Sequence, residues 1–340
     1  MATGKTGLKP LITVIIPCYN YGRLLGEALQ SLEEQDCTDW ECWIIDDGST
    51  DSTAAVARQY TALDPRINYF YQRNQGQPAA RNRGLEQAKG DYIQFLEAGD
   101  LLEPFKFSRQ KAYLEEHTGT DIVYGEVRYF MDHEPGELFL NRWDGRTEAW
   151  MPKISGSGLP ILMALVEKNI FELGCALFTR HAVNTLGPFR ETLQGVEDYD
   201  YCLRAAAQGL SFAWLDAPET RVLMRHHSSS FSKSLFYMYK KELMLRRLWK
   251  NKLRQTGSEH LVLLNDYRYD GCLKKLQDLV ITQVQKGNTS YLNPKEMKWL
   301  WTHAGSRQNL YFFPRVLKAL LQRRKTSSYI NHTKTYINDF

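Results

Sequence analysis

Short apolar runs alternate with stretches of helical periodicity through the first hundred or so residues. Leu11 to Ile16 is almost continuously apolar, as a strand buried on both faces requires. After a Tyr19-Asn20-Tyr21-Gly22 turn, Leu24, Leu25, Ala28, Leu29 and Leu32 recur at the spacing of one helix face. Trp43 to Ile45 predicts the next strand. It runs into Asp46-Asp47-Gly48-Ser49-Thr50-Asp51, where glycine allows a tight turn and Ser or Asp can cap a following helix. Ile67 to Tyr71 predicts a third strand, Gln77 to Ala88 a helix, and Asp91 to Leu96 a fourth strand ending at Glu97-Ala98-Gly99-Asp100. This alternation implies βαβ units around a mainly parallel sheet. Polar residues collect at the carboxyl ends of the strands, the edge at which open α/β sheets bind ligands.

Asp121 to Phe130 and Phe171 to Phe178 also read as strands. Between them the Gly/Ser/Pro-marked stretch Pro152 to Pro160 is expected to form a loop over the site edge. A helix is expected from Glu197-Asp198 to Gly209. Beyond Ser232 the pattern changes to long basic helices with interleaved Phe236, Tyr237, Tyr239, Leu243, Leu248 and Trp249, and Phe312 to Lys325 reads as a short amphipathic basic helix. The expected division is an α/β domain over residues 1–230 and a basic helical region over 231–340.

A chain of 340 residues that is 43% hydrophobic and 24% charged can bury a sizeable core, which excludes a disordered, collagenous or disulfide-stapled class. No apolar stretch reaches the roughly 20 residues of a membrane-spanning helix, and Met1 to Pro10 lacks the apolar core of a secretory signal. Six cysteines in no metal-finger spacing fit reduced, structural thiols. A cytoplasmic location is the expectation. The net charge of +4 is unevenly spread: residues 233–340 carry 21 Lys and Arg against 7 Asp and Glu, or +14, leaving −10 on residues 1–232. The basic part suits an anionic membrane surface, on the inner face of the plasma membrane, or a protein or homodimer contact; nucleic acid is not expected. The acidic part can hold an anionic ligand only with a metal or well-placed arginines.

Several motifs fail on spacing. Gly-x-Gly-x-x-Gly after the first strand and His-Glu-x-x-His are absent; Gly4-Lys5-Thr6 has no strand before it, and Ser155-Gly156-Ser157-Gly158 lacks the hydrolase elbow spacing.

Four segments stand in order at successive strand ends: Val14-Ile15-Ile16-Pro17-Cys18-Tyr19-Asn20, Asp46-Asp47-Gly48-Ser49, Asn74-Gln75-Gly76 with Ala80-Arg81-Asn82-Arg83-Gly84, and Phe95-Leu96-Glu97-Ala98-Gly99-Asp100. Together they resemble the nucleotide-sugar-binding half of the family 2 glycosyltransferases, inverting enzymes of the GT-A fold, a Rossmann-like α/β domain. The resemblance covers about residues 11–105. It resumes in the acceptor half, about 106–230, at Gly195-Val196-Glu197-Asp198-Tyr199-Asp200 and Arg225-His226-His227-Ser228-Ser229-Ser230-Phe231-Ser232.

The resemblance implies roles. Pro17, Tyr19 and Asp47 match positions that hold the uracil and ribose of the donor, with Asn74 and Gly76 beside them, and Arg81 matches a position near the diphosphate. The family's Leu-Asp-Ala-Asp-Asp metal motif appears here as Leu96-Glu97-Ala98-Gly99-Asp100. Glu97 and Asp100 are the expected metal ligands, with His227 a third, for Mg²⁺ or Mn²⁺; such an ion commonly takes one or two protein carboxylates and completes its shell with phosphate and water. Asp198 matches the catalytic base, and Glu197 is a candidate to orient the acceptor or to support Asp198; on residues alone the cluster is a helix-capping run. The reading is a transfer from a nucleoside-diphosphate sugar, expected to be UDP-linked, to a glycan or lipid-linked hydroxyl. The alternative is a catalytically degenerate nucleotide-binding or regulatory protein of the same fold, which Gly99 would permit. A nucleotidyltransferase would need a glycine-rich loop where Pro17-Cys18-Tyr19-Asn20 stands.

Overall fold

The apolar run at Leu11 becomes strand β1 (Ile12–Cys18), buried along its whole length. The computed structural model describes residues 11–140, 149–226, 235–304 and 311–321; Gly4-Lys5-Thr6, His227 and the end of the expected Phe312 to Lys325 helix lie outside them. The chain divides into two compact units, Met1–Ser230 and Phe231–Phe340.

In the first unit β1 is followed by α1 (Gly22–Glu33), β2 (Trp40–Asp46), α2 (Thr53–Leu63), β3 (Ile67–Tyr71), α3 (Gln77–Gln87) and β4 (Tyr92–Phe95). Leu24, Leu25, Ala28, Leu29 and Leu32 of α1 are all buried, and each buried leucine contributes about 1.5–3 kcal/mol. Helix α3 lies so close to β1 that a Cβ on Gly84 would come 2.3 Å from Ile15 Cγ2. A β5 (Leu101–Leu102) and α4 (Lys106–Glu116) follow, then β6 (Ile122–Tyr124), β7 (Val127–Met131), β8 (Glu134–Phe139), α5 (Leu159–Glu167), β9 (Ala176–Thr179), α6 (Arg180–Leu186), α7 (Glu197–Ala207), β10 (Phe212–Trp214) and β11 (Val222–His226).

The main sheet has seven strands in the order β10-β6-β9-β4-β1-β2-β3. All neighbours run parallel except β9, which is antiparallel to both β4 and β6. A second sheet has the order β5-β11-β7-β8.

Three sequence expectations are corrected here. The single strand over Asp121 to Phe130 is two strands in different sheets, β6 and β7, because Gly125 turns the chain between them: its N–H donates to the Cys175 carbonyl at 3.2 Å, and a Cβ would meet Thr220 Oγ1 at 2.8 Å. The strand over Phe171 to Phe178 begins later, since Leu173–Cys175 forms a turn of 3₁₀ helix before β9. The stretch Pro152 to Pro160 does not hang over the ligand edge. Gly156 exchanges two backbone hydrogen bonds of 2.8 Å with Phe212 of edge strand β10, and Leu159 opens α5.

The second unit contains α8 (Leu235–Gln255), α9 (Glu259–Gln285), α10 (Pro294–His303) and a helix over 311–321. Leu243, Leu273, Leu276, Val280, Leu300, Phe312, Val316 and Ala319 are among the buried residues of its own core. Among the described residues no helix is long and apolar enough to cross a membrane, and all six cysteines are free thiols.

Candidate active site

Because β4, β1, β2 and β3 are parallel neighbours, the loops leaving their carboxyl ends lie side by side. Pro17 is buried in β1 opposite Ile45, and Tyr19, past its end, is 48% exposed, so a ring face is available to solvent. Asn20 takes a left-handed φ of 58°, which Asn tolerates better than most residues. There its N–H donates to Ser49 Oγ (2.9 Å) and its Oδ1 accepts from the Thr50 N–H (2.8 Å), tying the first loop to the second.

Asp47 is buried and organises the third loop. Its carboxylate accepts from Gln72 Nε2 (2.8 Å), the Gln75 N–H (2.9 Å) and the Gly76 N–H (2.8 Å). A carboxylate has about four acceptor directions, so three are used by the protein. Gly76, with φ 93°, turns the chain into α3, and Asn74 is exposed beside it.

Arg81, on α3, is the bridge to the rest of the site. Its Nη2 lies 2.5 Å from Glu97 Oε1 at the end of β4, and its Nη1 lies 2.5 Å from Glu197 Oε1 at the start of α7. Glu97 also accepts from Gln77 Nε2, and Glu197 accepts from the Gly195 N–H at 2.5 Å. Arg81 Nε is buried and has no hydrogen-bond partner among the described residues.

Beyond Glu97 the loop turns at Gly99. A Cβ there would meet Tyr21 Cε1 at 3.1 Å and Leu24 Cδ1 at 3.3 Å, so the Tyr21 ring fills the space a middle carboxylate would need. Asp100 accepts from the Arg225 N–H at 3.0 Å. Burial pushes its carboxyl up to about 8; the Arg225 N–H opposes this, while Glu97 and Glu172 add to it. Asp198 sits in the first turn of α7, its Oδ1 accepting from the Tyr199 N–H at 2.7 Å. Burial, then Glu197 and Glu172, push it up to about 7, against Arg81. Helix α7 is braced by α5, where Tyr199 Oη donates to the Leu165 carbonyl at 2.5 Å.

The structure thus gathers Pro17, Tyr19, Asp47, Asn74 and Gly76 on one edge and links Arg81, Glu97, Glu197, Asp198 and Asp100 beside them; His227 lies outside the described residues. Sequence reasoning missed Glu172, which sits inside an apolar run that reads as strand and whose charge reaches both Asp100 and Asp198. It quoted Arg225 without a role and passed over Tyr21. Among the described residues no three His, Cys, Asp or Glu side chains converge as a ready-made metal cage. Glu97 spends both oxygens on Arg81 and Gln77, which leaves Asp100 as the carboxylate best placed for a cation. Five carboxyl groups, Glu97, Asp100, Glu172, Glu197 and Asp198, stand against the guanidinium groups of Arg81 and Arg225 in this region. A diphosphate entering it needs a cation to offset that charge, so one Asp100 oxygen with phosphate and water ligands fits a Mg²⁺ or Mn²⁺ ion.

A family model described as glycosyl transferase family 2 matches residues 13–181. TuaG of Bacillus subtilis (strain 168), named a candidate teichuronic acid biosynthesis glycosyltransferase, is 34% identical over 137 residues, covering 40% of this chain and 54% of TuaG. The chain therefore spans only a little over half of that relative. A PGL/p-HBAD biosynthesis glycosyltransferase of Mycobacterium bovis (strain BCG / Pasteur 1173P2) is 30% identical over 198 residues, 57% of this chain and 69% of the relative. Among solved structures, S. aureus TarS 1–349 in complex with UDP-GlcNAc superposes with a TM-score of 0.58 at 17% identity, covering 86% of this chain and 79% of that one. That likeness shows the fold, the GT-A arrangement expected from the strand-end motifs. With the family model running from β1 into α6, and a named glycosyltransferase matched across more than two thirds of its length, the chain belongs to glycosyl transferase family 2.

Proposed function

We propose that the first unit is an inverting, metal-assisted glycosyltransferase that moves a sugar from a UDP-sugar to a hydroxyl of a glycan or lipid-linked acceptor. The observation that carries this is the double ion pair of Arg81. It fixes Glu97 from the donor half and Glu197 from the acceptor half around one guanidinium, and so holds Asp198 beside the strand ends.

Each residue has a part in the chemistry. Tyr19 offers an exposed ring for the uracil, and Pro17 backs it. Asp47 shapes the Asn74–Gly76 loop and keeps one acceptor direction for the base or ribose. The buried Nε of Arg81, without a hydrogen-bond partner among the described residues, is a donor that a phosphate oxygen can satisfy. When bound, a divalent cation would supply charge neutralisation to the leaving diphosphate; Asp100 would hold it, with His227 a further candidate ligand. Asp198 takes the proton from the acceptor hydroxyl as that oxygen attacks the anomeric carbon, and the nucleotide leaves from the opposite face. A base near 7 is matched to that task at neutral pH. Glu197 holds Arg81 and the turn at Gly195, and so positions its neighbour Asp198.

UDP as the nucleotude carrier draws support from the UDP-GlcNAc complex of TarS, and a glycan acceptor from the name of TuaG. The +14 on residues 233–340 suits an anionic membrane surface, at about 1 kcal/mol per basic residue near it, and so a cytoplasmic, peripheral enzyme meeting a lipid-linked acceptor. A homodimer contact is the other use of that surface.

A second reading, a nucleotide-binding protein without turnover, is favoured by Gly99, which stands where a middle carboxylate would be and packs against the Tyr21 ring. Incubation with UDP-sugars and Mn²⁺, without acceptor, separates the two. The enzyme reading expects slow, metal-dependent release of UDP that Asp198→Asn abolishes. UDP binding with no release from any UDP-sugar would leave the second reading standing instead.

A further inference from the structure

Arg225, 3% exposed in its side chain, is bonded on every side. The antiparallel pairing of β5 with β11 sets Leu101 opposite Leu223, and the same register carries Arg225 to the Gly99–Asp100 turn. There its N–H donates to Asp100 Oδ1 (3.0 Å) and its Nε to the Gly99 carbonyl (3.0 Å). Its remaining nitrogens reach outward, Nη1 to Asp132 Oδ1 (2.9 Å) in the β7–β8 turn and Nη2 to Glu27 Oε2 (2.5 Å) on α1. The guanidinium lies 4.7 Å from the centre of the Phe130 ring, and Asp132 is held in turn by Arg23 at 2.5 Å.

We infer that Arg225 is a positioning residue for Asp100, fixing the Gly99–Asp100 turn so that one carboxylate oxygen stays aimed at a donor-bound divalent cation; this rests on the donor-site reading above. Two bonds hold the turn from one side: the main-chain N–H takes one Asp100 oxygen out of rotation, and the side chain pins the preceding carbonyl. Glu27 and Asp132 fix the guanidinium from α1 and from the β7–β8 turn. A loop that has lost its middle carboxylate at position 99 has one strong ligand left, so the orientation of that ligand sets the affinity of the site. Groups that orient a metal ligand from behind commonly change metal affinity when removed, without changing the ligand itself. An ion-pair hub with a purely structural role would lower folding stability and leave the metal dependence where it was.

The test is calorimetric titration with UDP over a series of Mn²⁺ concentrations, on wild type, Arg225→Lys, Asp132→Asn and Glu27→Gln, with thermal unfolding of each. Arg225→Lys keeps the charge and the main-chain N–H and loses the planar fork. It is expected to raise the Mn²⁺ needed for half-maximal UDP binding by about tenfold or more, with turnover recovering toward wild type at saturating Mn²⁺. Asp132→Asn and Glu27→Gln, on the more exposed side, are expected to shift it the same way by less, and they carry the test should Arg225→Lys not fold. Folded variants with wild-type Mn²⁺ dependence overturn the inference. Wild type that binds UDP equally well in chelator overturns it too, and in that arm the failure is that of the metal reading rather than of Arg225.

Discussion

Arg81 Nη1 lies 2.5 Å from Glu197 Oε1 across 116 residues of chain, and both side chains are at least 96% buried. The pair joins α3 to α7. Removing one member of such a pair strands the other charge in a poorly solvated place, whereas the intact pair contributes little net stability.

Glu197→Gln is accordingly expected to cost about 3 kcal/mol. Glu97 remains on the other side of Arg81, so the fold should persist. Urea unfolding checks this as a lower midpoint with an unchanged slope; a midpoint within error of wild type would mean that Glu97 alone satisfies Arg81.

As the proposed base, Asp198, pushed up to about 7, is expected to set a pH dependence of activity. A base must be ionised to accept a proton, so kcat/KM should fall as pH drops below about 7 and level off above it. Asp198→Asn should lower turnover by a factor of about 10² or more while leaving UDP affinity nearly intact. A variant retaining wild-type turnover removes Asp198 from the base role.

The same carboxyl, with Asp100 at about 8, also links stability to pH. Both pKa values are raised on folding, so between about pH 4 and pH 8 the folded chain holds protons that the unfolded chain has released. Stability therefore declines as pH rises through that window. Denaturant midpoints at several pH values should show a shallower decline in Asp198→Asn than in wild type.

Lys106 at the start of α4 has the opposite sign. It is fully buried, with Nζ donating to Gln110 Oε1 (2.8 Å) and to the Cys175 carbonyl (2.9 Å), and burial lowers its pKa to about 7. From about pH 7 to pH 10.5 the unfolded chain carries the extra proton, so this group adds stability as pH rises. Lys106→Met should remove that gain. Comparing wild type and variant by urea unfolding near pH 7 and again near pH 9 tests it, and parallel behaviour of the two would count against a neutral lysine in the fold.

Gly84→Ala is expected to destabilise by about 1–3 kcal/mol, since the new methyl would overlap Ile15 Cγ2 and push α3 off β1. Thermal unfolding reads the loss. Equal stability would show that Ile15 can rotate away within the core.

Periodicity alone made much of the first hundred residues legible. The α1 stripe from Leu24 to Leu32, the buried run at Ile12 and the polar strand ends are local patterns, and the structure has the elements they predict. Asp47, Arg81, Glu97, Asp100 and Asp198 stood out as candidates because each stands in a short motif beside a strand or helix end. What those residues touch was not. That Asp47 spends three acceptor directions on Gln72, Gln75 and Gly76 follows from β2 and β3 being parallel neighbours. Gly99 in the metal motif is explained by a Tyr21 ring packed 78 residues earlier in the chain. Where the sequence reading failed, at Asp121 to Phe130 and Phe171 to Phe178, an apolar run was necessary for a strand but did not specify which sheet, or where a turn would interrupt it. The amino-acid order by itself determined the alternating strands and helices of the first hundred residues and which residue types end them, because those depend on neighbours a few positions away. Only the tertiary structure decided which carboxylates are paired and which have their pKa raised, because burial and charge partners come from segments distant in sequence.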